Sequence, residues 1–192
     1  MSPRAGLDPG RVADAAVAIA DRDGLDGVTI ARVAAELGVK GPSLYNHVAS
    51  RDALVRAVAL RGITELTDAL TLAATGLAGE DAVLAAGRAY RDYAGAAPGR
   101  YTAGLRAPAS GDEDLRAAAA RALGAFHATL RGYALSEEEL VHAVRAMRSA
   151  LHGFVTLEAE GGFAMDVDRD RSFEAMLQML VAGIGARVGL GG

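Results

Sequence analysis

The sequence has no cysteine, which excludes a disulfide framework and a thiolate metal site and fits a reducing cytoplasm. No uninterrupted apolar run approaches the ~18 to 20 residues of a membrane span, and Asp8 and Asp14 spoil a signal-peptide reading of the N-terminus. A cytoplasmic protein with no membrane partner is therefore expected. Lysine is almost missing: Lys40 is the single one, and every other basic side chain is arginine. That bias is typical of a GC-rich coding genome. The four histidines lie far apart, no His-x-x-x-His pair occurs, and no glycine loop could cradle a phosphate. No metal site, cofactor or catalytic residue is expected, so the chain reads as a non-enzyme. The carboxylate runs Asp112-Glu113-Asp114 and Glu137-Glu138-Glu139 fall at helix starts, where the helix dipole explains them.

Sustained period-two alternation is also absent, so no sheet is expected. Helical signals fill the chain instead. Asp8-Pro9 supplies a cap and a first-turn proline for a helix that Gly24 ends. Thr29 caps a short second helix stopped by Gly38, Pro42 starts a third, and Ser50 caps a fourth running from about Arg51 to about Ala74. Further helices are expected over about 80–96, 98–106, 112–133 (capped by Ser110), 137–158 (with Ser136 and Glu139 as a capping box) and 168–188. The fold class is all-α, with about nine helices: a three-helix head over 1–50, followed by a larger helical bundle over 51–192.

Hydrophobic residues make up 51% and charged residues 23% of the 192, the balance of a globular protein. A net charge of −4 argues at first against nucleic acid, because a phosphate-binding surface should be basic. The distribution weakens that objection. Residues 1–61 hold eight basic and seven acidic side chains, whereas the remainder holds twelve and seventeen.

Two short helices joined by Gly38-Val39-Lys40-Gly41 have the spacing of a helix-turn-helix, whose second helix enters the major groove. The side chains at that end suit DNA. Pro42 can lie against a thymine methyl, Ser43 can bond to a base or a phosphate, and Asn46 suits adenine. Tyr45 and His47 can reach phosphate oxygens, while Thr29, Lys40 and Arg51 flank the unit and can hold phosphates on either side. Leu44 and Val48 face back into the head. Spacing alone leaves open a generic pair of helices in an all-α protein, with Tyr45 half-buried and His47 a helix-end residue.

The full string is more specific. Residues 29–48, followed by Ser50-Arg51-Asp52-Ala53-Leu54, closely resemble the DNA-binding head of the TetR family of bacterial repressors. The pattern matches at Thr29, Ala34, Leu37, Gly38, Val39, Leu44, Tyr45, His47, Arg51 and Leu54, and the resemblance covers residues 8 to about 60. It implies a homodimer that binds a palindromic double-stranded operator and is released when a small-molecule effector fills the C-terminal domain. It places Thr29, Gly41, Pro42, Ser43, Tyr45, Asn46, His47 and Arg51 at DNA-facing positions. Gly41 stands where many relatives carry a side chain able to touch a base, which shifts specificity toward Lys40, Ser43, Asn46 or DNA shape.

The segment Arg145 to Phe154 resembles the Arg-x-x-x-His-Gly-Phe element of a TetR subgroup with a WHG-type C-terminal domain, with Leu151 in place of the tryptophan. In that family the last two long helices pair across a two-fold axis. Phe154, Leu157, Phe173, Met176, Leu177, Leu180 and Ile184 are the expected apolar seam, and small residues near Gly183 and Gly185 would permit close helix approach. A monomer core is the alternative for the same residues. The expected effector pocket is mostly apolar, with Tyr90, Tyr93, Tyr101, Leu105, Phe126, His127, Leu130, Met147 and Leu151 as candidates. Tyr93, Tyr101 and His127 could orient a ligand. An enzyme and a helical adaptor are the rival classes; the first lacks the motifs noted above, and the second gives no reason for Pro42 to His47.

Overall fold

The computed structural model describes residues 7–106 and 108–188. Among these residues there are only helices and turns. They are α1 (Pro9–Asp23), α2 (Ile30–Glu36), α3 (Gly41–Leu44), α4 (Arg51–Ala74), α5 (Gly79–Ala96), α6 (Pro98–Gly104), α7 (Glu113–Thr129), α8 (Glu137–Ala159) and α9 (Arg169–Val188), with one 3-10 turn at Leu25–Gly27. None is long and apolar enough to cross a membrane.

Local chemistry sets most boundaries. The Asp8 carboxylate accepts from the Arg11 N–H at 3.0 Å, and Ser50 Oγ accepts from the Ala53 N–H at 3.2 Å. Ser136 and Glu139 form a reciprocal capping box at the start of α8. The cap of α7 differs from the expected Ser110. Asp112 takes that position, its Oδ1 accepting from the Leu115 N–H at 3.1 Å, while Gly111 turns the chain at φ +87°. Asp112 also accepts from Nε and Nη2 of Arg56, each at 2.7 Å. Those hydrogen bonds hold the Asp112 carboxyl below the usual carboxylate range and raise Arg56 further above its ordinary value.

The chain forms two compact units, Met1–Glu65 with Ala97–Ala119, and Leu66–Ala96 with Ala120–Gly192. The first packs α1 against α2 and α6 around Ile19, Val28, Val33, Leu44 and Val58, all fully buried. Here α6 approaches α1 closely because Gly99 has no side chain: a Cβ there would overlap the Ala20 carbonyl group. The second unit packs α5 against α8 and α9.

Inside the second unit Arg91 is held from four directions. Its guanidinium donates to both oxygens of Glu158 at 2.8 and 2.5 Å and to Asp170 at 2.8 Å. Its carbon lies 4.9 Å from the centroid of the Phe173 ring and 5.5 Å from that of Phe154, a cation–π arrangement. The two rings meet edge-on at 5.0 Å. The Arg91 hydrogen bonds hold the Glu158 carboxyl below its ordinary value. A carboxylate depressed on folding adds stability above its unfolded value of about 4.3, and that stability is lost as pH falls through the folded value. Glu158→Gln is therefore expected to cost roughly 1 to 3 kcal/mol near pH 7, with the gap in Tm from wild type closing on acidification. A gap that stays constant between neutral and acid pH would assign the loss to packing.

This cluster also corrects the expected seam. Phe154, Phe173, Leu177 and Ile184 are buried within their own chain, where the Arg91 cluster and the α5 packing use them. Met176 and Leu180 are half-buried, and Leu157 remains 47% exposed.

Candidate nucleic-acid interface

Helices α2 and α3 are positioned by a short turn with one special residue. Gly38 has φ +66°, a conformation that disfavours side chains with a Cβ. It lets the Gly38 N–H reach Ala35 O at 3.1 Å and the Val39 N–H reach Ala34 O at 2.9 Å. The chain then leaves α2 and begins α3 within four residues. Val33 and Ala34 anchor α2, and Leu44, with no exposed surface, anchors α3.

The third helix is shorter than a Pro42-to-Val48 stretch. It begins at Gly41 and ends at Leu44, whose carbonyl accepts from both the His47 N–H (2.9 Å) and the Val48 N–H (3.0 Å). Residues 45–47 form turns. Burying Leu44 sends its neighbours outward: Pro42, Ser43 and Asn46 are exposed, and Tyr45 is 59% exposed. Gly41 and His47 are half-exposed, and Lys40 is exposed at the N-cap of α3. Apart from Leu44, every residue from Lys40 to His47 is thus at least half-exposed.

Thr29 and Arg51 lie at the other end. Thr29 Oγ1 accepts from the Arg32 N–H at 3.2 Å and so caps α2, leaving its own O–H able to donate. Arg51 donates through Nε to Val28 O and through Nη2 to Leu25 O, both at 2.9 Å. Those bonds tie the start of α4 to the loop that presents Thr29. Arg51 is therefore a brace as well as a surface cation, a role the sequence pattern did not show. Other head arginines are also engaged. Arg22 pairs with Glu36 and Asp23, and Arg32 with Asp23; these hydrogen bonds, Glu36 first, raise the Arg22 guanidinium above its ordinary value.

A second feature escaped sequence reasoning. Arg100, the third residue of α6, donates its backbone N–H and Nε to Asp21 at 2.9 and 2.7 Å and pairs with Glu65. Its partners lie 79 and 35 residues away, so no local signal could have found them. The result is a three-way tie of α1, α4 and α6 inside the first unit.

The expected effector residues divide between the units. Tyr90, Phe126, Leu130, Met147 and Leu151 are buried in the second unit, with Tyr93 and His127 half-buried. Tyr90 and Phe126 stand 6.2 Å apart between ring centroids, and Arg148 lies 5.9 Å from the Phe126 centroid. Tyr101 is buried in the first unit, where Leu105 is 47% exposed.

Residues 12–58 match the family described as bacterial regulatory proteins, tetR family, and residues 83–180 match a tetracyclin repressor-like C-terminal domain. The second match agrees with a WHG-type C-terminal domain. The chain is 43% identical over 182 residues to an HTH-type transcriptional regulator of Mycobacterium tuberculosis, covering 94% of this chain and 83% of that protein. It is 35% identical over 184 residues to an HTH-type transcriptional regulator of Bacillus subtilis, YobS, covering 96% of each. Both relatives are regulators rather than enzymes. Among solved structures, a TetR variant from Acinetobacter baumannii in complex with minocycline superimposes with a TM-score of 0.67 at 24% identity, covering 93% of this chain and 96% of that one.

Proposed function

This chain belongs to the TetR family of bacterial transcriptional regulators, and from that premise we propose that it is a cytoplasmic repressor that binds a palindromic operator as a homodimer. A small molecule releases it by occupying the C-terminal domain. The functional division then runs after residue 50, with DNA binding in 1–50 and effector binding and dimerisation in 51–192.

The observation that carries this reading is the outward surface from Lys40 to His47. An aromatic ring 59% exposed beside a fully buried leucine has no packing purpose, and a tyrosine hydroxyl, a serine and an asparagine around it suit phosphates and base edges. In this reading Thr29 and Arg51 supply flanking phosphate contacts, and the bonds from Arg51 to Val28 and Leu25 fix the loop that precedes Thr29.

A homodimer is supported by α9. Residues 175–186 carry no charged side chain, yet Ala175, Met179, Ala182, Gly183 and Ala186 are exposed, Met179 by 72%. A second copy of the same helix, with α8 beside it, would cover this face. Two heads held about 34 to 36 Å apart can then enter successive major-groove faces.

Release requires a ligand that prefers the head arrangement unsuited to DNA. The apolar interior around Tyr90, Phe126, Leu130, Met147 and Leu151, with Tyr93 and His127 as polar groups, suits a largely apolar effector. The minocycline complex of the structural neighbour offers a precedent for a ligand in such a fold. The tie of Arg100 to Asp21 and Glu65 gives α6 a direct hold on α1, so displacement of α6 would be felt in the head.

The test is a titration of the protein's own promoter DNA at fixed salt. Tyr45→Ala is expected to weaken binding about tenfold with little change in sequence preference, as for a lost phosphate contact. Asn46→Ala should relax preference at particular positions by about 1 to 3 kcal/mol per base. Wild-type affinity and preference in both variants would remove these residues from the interface.

A further inference from the structure

We propose that the ε-amine of Lys40 is an acylation site and that acylation there lowers affinity for DNA, an inference that rests on the DNA-binding reading above. Three observations on the same residue carry it. Lys40 is the only lysine in the sequence, which also lacks cysteine. Guanidinium groups stay protonated and are poor nucleophiles at neutral pH, and an acylated imidazole hydrolyses, so this amine is the one side-chain nitrogen suited to hold an acyl group as a stable amide. It is also open. Lys40 is exposed, and the glycines at 38 and 41 leave the turn bare, with no atom within 4 Å of a Cβ built at either.

The third observation concerns charge. Arg22, Arg32 and Arg51 in the head are each engaged with carboxylates or carbonyl oxygens, whereas the Lys40 ammonium makes no ion pair or hydrogen bond among the described residues. Its charge is therefore fully available to a phosphate. Its backbone is fixed separately, the Lys40 carbonyl accepting from the Ser43 N–H at 3.0 Å. Neutralising the side chain would thus change the DNA surface without loosening the turn.

The step needs an activated acyl donor, a thioester or an acyl phosphate. The neutral amine nitrogen attacks the acyl carbonyl carbon and forms a C–N bond. The C–S or C–O bond to the leaving group breaks, the leaving thiolate or phosphate keeps the electron pair, and the nitrogen gives up its proton to solvent. No electron transfer is involved. The product is a neutral amide with no positive charge for phosphate, and each dimer would lose two such charges.

The experiment treats the full chain and Lys40→Arg with acetyl phosphate and, separately, with acetyl-coenzyme A. Peptide masses locate the adduct, and binding to the chain's own promoter DNA is then titrated across salt. Expected are acetylation at Lys40, a fall in affinity of about tenfold, and a shallower log–log salt slope by roughly 0.9 for each lysine neutralised. Lys40→Arg should take up no acetyl group at position 40, so its affinity, whatever its level before treatment, should be the same after treatment. Lys40→Gln should bind like the acetylated protein. Labelling confined to the α-amine, or acetyl-Lys40 protein that binds as tightly as untreated protein, overturns the inference alone. Untreated protein that fails to bind the promoter overturns the DNA-binding reading and this inference with it.

Discussion

Met179→Glu is expected to halve the mass of the protein in solution and to weaken operator binding by about a hundredfold or more. Met179 stands 72% exposed in the middle of an uncharged stretch of α9. Around it Ala175, Ala182, Gly183 and Ala186 are small enough for a second helix to approach closely. In the proposed homodimer a glutamate at this position would place two carboxylates near a two-fold axis in an apolar seam, where desolvation and repulsion act together. The side chain points away from the chain's own core, so the fold of the protomer should survive. Light scattering would then give 19.6 kDa for the variant and twice that for wild type. With only one head per particle, the gain from linking two half-site contacts disappears. A variant that stays dimeric and binds as wild type would move the interface elsewhere.

Gly99→Val should be strongly destabilising in the first unit. The added Cβ would fall on the carbonyl group of Ala20, and backbone cannot turn aside as a flexible side chain can. Overpacking of this kind costs about 3 kcal/mol, or roughly 6 to 12 °C in Tm for a chain of this size. The same shift would pull α6 from α1 and disturb the Arg100 bonds to Asp21, so DNA affinity should fall along with stability. Gly124→Ala is the control. Gly124 is exposed in the middle of α7 with nothing within 4 Å of a Cβ, and alanine there should raise stability by roughly 0.5 to 1 kcal/mol. Melting of Gly99→Val within a degree of wild type would contradict the close α1–α6 contact.

Much of the fold was legible because its signals are local. Asp8, Thr29, Ser50 and the Ser136–Glu139 pair each bond within three residues, so a cap can be read from adjacent letters. The helix-turn-helix was legible for the same reason, since Gly38 and Leu44 fix its geometry within a short string. The α7 cap was misread because Asp112 outcompetes Ser110 with help from Arg56, a partner 56 residues away. Four of the seven expected seam residues, Phe154, Phe173, Leu177 and Ile184, are buried in their own chain, for a different reason. Apolar residues occur almost all round α9, so periodicity cannot say which side faces the chain's own core. Packing against α5 and α8 decides that Phe173 and Leu177 turn inward and Met179 outward. Arg51 shows the remaining gap: its type and position mark a surface cation, but its two carbonyl acceptors depend on where the Leu25–Val28 loop lies.

The net charge of −4 carried no information about the interface, because the excess acid lies after residue 61 while the outward surface of α3 is polar, aromatic and singly charged at Lys40. The proposed readout through Ser43 and Asn46, with Gly41 contributing no side chain, would leave room for a large share of specificity in DNA shape. Phosphate contacts should then dominate affinity, and affinity should depend steeply on salt.

The most direct measurement is a nuclease footprint of the wild-type protein on its own promoter at low salt, repeated as salt is raised. DNA binding by paired heads predicts one protected segment with two-fold symmetry, half-sites about one helical turn apart, and protection lost steeply with added salt. No protection at any protein concentration, or diffuse protection without a symmetric site, would contradict it.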